Sequence, residues 1–140
     1  MGFFFAFGAA ITWGLVYTFD QRILSNLTPL GLLFIDSILS LVIALPILLW
    51  RQGQLEATLS AAHSHWMLIV GSLVLAAIAN YCIYSGIRLI GASTASMLEI
   101  TYPFFVALFS AMLLNKSANL FFILGGVLIL AGVVLILRLG

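Results

Sequence analysis

Residues 30–50 read LGLLFIDSILSLVIALPILLW, uncharged throughout except for Asp36 and closed by Arg51. A helix of that length rises roughly 30 Å, the thickness of a bilayer's hydrocarbon core. Outward from it lie four more apolar windows, whose one formal charge is Glu99. Residues 2–19 are closed by Asp20, Gln21 and Arg22, residues 66–87 by Arg88, residues 92–114 by Asn115 and Lys116, and residues 120–137 by Arg138. A membrane barrel requires short alternating segments, and these runs are continuously apolar. The sequence therefore predicts an all-α membrane protein of five transmembrane helices in one domain, residues 1–140. Residues 2–19 lack the basic start and small-residue cleavage site of a leader and are expected to remain as a span.

Composition agrees. The chain is 64% hydrophobic and 6% charged, with mean hydropathy +1.29, whereas soluble domains carry about 25% charged residues. A net charge of +1 excludes a polybasic nucleic-acid surface. A lone cysteine, Cys82, excludes an internal disulfide and a thiolate metal cluster. Neither a convincing Ser–His pair nor an H-E-x-x-H helix occurs, so no enzyme, metal or cofactor is expected. The longest connection, residues 51–65, carries Gln52, Gln54 and Glu56 and is read as a loop with Trp50 and Trp66 as interfacial anchors. His63 and His65 have no third ligand nearby and read as headgroup-level side chains.

Five spans put the termini on opposite sides. The face holding Met1 then has Arg51 and Lys116 plus the terminal amine, and the other face has Arg22, Arg88 and Arg138. So small a difference gives almost no orientational bias under the positive-inside rule. Either a partner or second repeat fixes the orientation, or the chain inserts both ways and pairs antiparallel. The odd number of spans favours the latter, because two oppositely inserted copies reproduce an inverted repeat.

Carboxyl groups within spans are costly and usually face protein or water. Asp36 lies about six residues into the second window and Glu99 about seven into the fourth, on the order of 10 Å below the same surface. Trp13, Asn80 and Tyr81 fall in that layer, with Tyr17, Tyr84 and Tyr102 close by. Helical phase gives inward faces of 6-10-13-17, 36-40-44, 76-80-84 and 92-96-99-103. Aromatics with a few polar groups suit a small-molecule pocket, and Glu99 and Asp36 are the coupling-ion candidates. Pro103 removes a helical hydrogen bond to the Glu99 carbonyl, so a kink, and a candidate hinge, is expected there. In the last window Gly125, Leu128, Ile129, Gly132 and Val133 form a pattern for close helix approach, read as an oligomer contact.

Ala10, Trp13 and Gly14, Pro29 and Leu33, ASTASMLEITYPFF at 92–105 and GGVLILAGVVL at 125–135 together resemble one EamA-type repeat of the drug/metabolite transporter superfamily. The final pattern also resembles the dimerisation motif of that superfamily's small multidrug resistance branch. The resemblance implies a transporter or exporter of metabolites, amino acids or drugs, working by alternating access in a bacterial inner membrane. Because one five-helix half is present, it also implies a homodimer or a second repeat as partner, within membrane lipid. Asp36 stands where such repeats often carry arginine, and Asn115 and Lys116 stand where an acid commonly follows the fourth span. The small multidrug branch's first-span glutamate is absent, and Glu99 is its substitute candidate. The alternatives are a non-transporting membrane subunit that stabilises a partner and a lipid-carrier flippase component.

Overall fold

The computed structural model describes residues 1–51, 53–115 and 119–139; Gln52 and Lys116, which entered the loop and charge readings, lie outside them. The chain forms α1 (Gly2–Ile23), α2 (Pro29–Trp50), α3 (Gln54–Ile90), α4 (Ala92–Glu99), α5 (Tyr102–Leu114) and α6 (Leu120–Leu139). With α4 and α5 taken as one interrupted span, five segments are long and apolar enough to cross a bilayer. Helices are the economical solution there, since every backbone polar group is satisfied within its own segment.

Three boundaries differ from the sequence expectation. Asp20, Gln21 and Arg22, read as closing the first span, form the last helical turn of α1. Polarity marks where lipid ends, whereas a helix continues until its carbonyls are capped. The connection expected over 51–65 is helical from residue 54 on: Gly53 turns the chain at φ 79°, and α3 begins at Gln54. Leu55, Glu56, Ala57, Leu59, Ala61 and Ala62 are good helix formers, and the non-helical residue is His65, at φ −123° and ψ 18°. The fourth window is broken at Ile100 and Thr101. Pro103 falls in the first turn of α5, where its missing N–H is harmless. Thr101 repairs the break, donating its N–H at 3.3 Å and its hydroxyl at 2.8 Å to the Leu98 carbonyl.

Burial is concentrated at the end where α1 and α3 finish and α2 and α4 begin. Leu24, Leu32, Tyr84, Ile87, Ala92 and Ala95 form the core, with Leu24 and Ile87 fully enclosed. Local chemistry fixes this end. Thr28 caps α2, its hydroxyl oxygen accepting from the Gly31 N–H at 3.1 Å, and Pro29 pre-sets the first turn. Gly91 joins α3 to α4 at φ 82°, a conformation that L side chains resist. The free N–H of Ala92 donates to Gln21 Oε1 of α1 at 2.7 Å. Away from this end, α1, α2 and α3 keep mostly exposed side chains, while α6 packs on α4 and α5.

Candidate functional site

Two tyrosines bind two acids across helix pairs. Tyr17 of α1 donates its hydroxyl to Glu99 Oε2 of α4 at 2.5 Å, and Tyr84 of α3 donates to Asp36 Oδ2 of α2 at 2.5 Å. Both lengths suit a hydroxyl bonded to a carboxylate. Each tyrosine lies six residues before its helix ends, and each acid seven residues after its helix begins. Rise per residue puts all four roughly 10 Å from the packed end. Both pairs therefore clamp antiparallel helices at one level.

Between α1, α2 and α3 runs a cleft of about 910 Å³. Trp13 and Asp20 line it from α1, Asp36, Ser37 and Ser40 from α2, and Asn80 and Tyr84 from α3. Leu33, Leu39, Ile43 and Leu73 supply apolar wall, and among the described residues no Lys or Arg lines it. Trp13 also meets the Tyr17 ring, centroid to centroid 5.5 Å, which brings the Tyr17–Glu99 pair beside the cleft. A second cavity, about 210 Å³, lies at the helix break between Pro103 and Phe104 on one side and Gly125, Gly126 and Ile129 on the other. Its lining is almost wholly apolar, so convergent polar groups single out the larger cleft.

Trp13, Asp36, Asn80 and Tyr84 thus share one cleft, and Tyr17 and Glu99 bond to each other at its side. Tyr81 and Tyr102 are exposed and stand outside its lining. On α1 the lining face is 9-13-16-20 where 6-10-13-17 was expected; Trp13 is common to both. Of the last-span pattern, Gly125 and Ile129 line the smaller cavity, Gly132 is partly buried, Val133 is buried and Leu128 is exposed. His63 and His65 are exposed, and among the described residues no three His, Cys, Asp or Glu side chains gather to hold a metal.

Sequence reasoning missed Asp20. It is 5% exposed, and among the described residues its Oδ2 has no hydrogen-bond partner. The signal was present: Trp13 and Asp20 are seven residues apart, two helical turns along one face. Reading Asp20 as the interfacial end of the span hid it.

Apolar spans enclosing a polar cleft define a polytopic integral membrane protein. The EamA-like transporter family model matches residues 1–138, and the chain belongs to that family. It is accordingly a transporter of the drug/metabolite superfamily, corresponding to a single five-helix half. No curated protein and no solved structure matches it.

Proposed function

We propose that this chain is one half of a small-molecule exporter that works by alternating access, with the cleft between α1, α2 and α3 as its solute site. The observation that carries this is the convergence of Trp13, Asp36, Asn80 and Tyr84, from three helices, on one 910 Å³ space. Polar groups at such depth are expensive in lipid and become useful when they face a solute. Glu99 and Asp36 are the ionisable groups through which proton exchange couples to transport. The interruption before Pro103 is the hinge about which α4 and α5 change their mutual angle. A second five-helix repeat, in the simplest case an inverted copy of this chain, completes the cavity, with Gly125, Leu128, Ile129, Gly132 and Val133 contributing to the contact. Residence in a bacterial inner membrane follows from the same reading.

A second reading, a lipid-carrier flippase, draws on Leu39, Ile43 and Leu73, which give the cleft an apolar flank for an acyl or prenyl chain. Reconstitution separates the two. In proteoliposomes with an imposed pH gradient, water-soluble metabolites and amines are expected to move, and Glu99→Gln is expected to abolish the dependence of flux on pH. Unchanged flux and unchanged pH dependence in Glu99→Gln would remove Glu99 from the mechanism. Movement of a labelled lipid carrier with no soluble solute would favour the flippase.

A further inference from the structure

The packed end of the bundle carries a basic recess. Where the last turn of α1 meets the turn between α3 and α4, Gln21 and Ser25 join Arg88 and Gly91 around a space of about 370 Å³. Gln21 and Ser25 also line an adjoining recess with Thr18 and Arg22. Two guanidinium groups therefore flank one strip of α1. No Asp or Glu among the described residues lines either recess, and neither recess shares a lining residue with the solute cleft.

A cation in the last turn of a helix ordinarily serves its carbonyl end. Here those carbonyls already have donors. The Asp20 carbonyl accepts from the Leu24 N–H, that of Ile23 from Asn26 and Leu27, that of Ile87 from Gly91, and that of Arg22 from the Ser25 hydroxyl. Gln21 accepts the Ala92 N–H at Oε1, which leaves its amide Nε2, a donor, as its other polar end. Gln21, Arg22 and Arg88 are all exposed, so a partner reaches them without any movement of the core. Donors and positive charge with no acid beside them call for an oxyanion, and guanidinium forks match phosphate oxygens two at a time.

Depth decides between a dissolved anion and a lipid. Charges that close membrane spans lie at headgroup level. From Arg22 toward the bilayer, the same face of α1 presents Leu15 and Ile11, 57% and 58% exposed, an apolar track for an acyl chain. We infer that the packed end binds an anionic phospholipid, its phosphodiester held by Arg22, Arg88 and Gln21 Nε2 and its chains along Leu15 and Ile11. The bound lipid fastens α1 to the turn between α3 and α4.

The test uses the full chain in a neutral detergent, with bound lipid counted by native mass spectrometry. Its probes are dioleoylphosphatidylglycerol, dioleoylphosphatidylcholine and glycerol phosphate. Phosphatidylglycerol is expected to bind more tightly than phosphatidylcholine and to raise Tm. Arg22→Gln and Arg88→Gln should each weaken it roughly fivefold or more, the scale of one basic residue at an anionic surface. Arg138→Gln, at the same end of the bundle and in neither recess, should leave affinity within about twofold of wild type. Without lipid, Arg22→Gln and Arg88→Gln should melt as the wild type does, because both side chains are exposed. That readout separates lost binding from lost folding. Unchanged affinity in Arg22→Gln and Arg88→Gln, an equal loss in Arg138→Gln, or equal affinity for the two lipids would each overturn the inference. Lipid-free variants that melt lower would assign the arginines to the helix ends and also overturn it. Glycerol phosphate that binds as tightly as phosphatidylglycerol would assign the recess to a dissolved phosphate ester and overturn the lipid as its occupant.

Discussion

Tyr17 and Tyr84 each direct a hydroxyl at an acid on the neighbouring helix, and the two bonds lie at one depth. In lipid such a bond contributes modestly, about 0.5–2 kcal/mol, because the separated helices find other partners. Tyr84→Phe should therefore lower unfolding stability by about that amount, read by thermal unfolding in detergent micelles, with the fold intact. A loss several-fold larger would mean that the cost lies in leaving the Asp36 carboxyl without its donor, since the Phe ring keeps its place in the core beside Leu24 and Ile87. Asp36→Asn keeps the size of the side chain and an acceptor for Tyr84, so it should leave stability nearly unchanged while weakening solute binding. Sequence alone placed these residues at one level, because depth is simple arithmetic along a helix. It did not identify who bonds to whom. Helix rotation decides that, and on α1 the cleft face is turned so that Tyr17 meets Glu99 while Asp20 enters the cleft.

The helices themselves were legible wherever apolar length was the signal, and less so wherever the backbone was. Residues 54–64 looked like a loop because they are polar, yet Ala, Leu, Gln and Glu sustain a helix at an aqueous boundary. Asp20 was lost for the converse reason, since a charge near a boundary reads as the end of a span. Pro103, by contrast, announced the interruption of the fourth span through chemistry that needs no tertiary context. Pro103→Ala should let α4 and α5 join, slowing solute flux while leaving solute affinity at the cleft within a few-fold of wild type. Equal flux would show that the break is only a packing feature. Two glycines of α6 make opposite predictions. A Cβ on Gly126 would stand 3.3 Å from Phe104, whereas one on Gly132 meets nothing within 4 Å among the described residues. Gly126→Ile should therefore destabilise the chain by about 1–3 kcal/mol through overpacking. Gly132→Ile should leave monomer stability alone and, if α6 is the contact, reduce dimer recovered by cross-linking in membranes.

As a whole molecule the chain is tightly packed at one end and open along the cleft, which suits half of a carrier that closes against another half. The family match covers residues 1–138, so one five-helix half accounts for nearly all of it. Its basic residues give little orientational preference, and pairing of opposite insertions predicts that reporters fused to either terminus are active on both sides of the membrane. A single uniform orientation would instead require a distinct second repeat as the partner. Beneath all of this lies the claim that side chains from α1, α2 and α3 meet in a wet cleft within the bilayer. It is tested most directly by single cysteines in a Cys82→Ser background, in native membranes, with a membrane-impermeant methanethiosulfonate. Ser40 lines the cleft one helical turn beyond Asp36, and Phe34, 65% exposed, is turned outward from α2. Rapid modification of Ser40→Cys, with Phe34→Cys inert in lipid, is the expected result; an inert Ser40→Cys, or equal reaction at both positions, would contradict it.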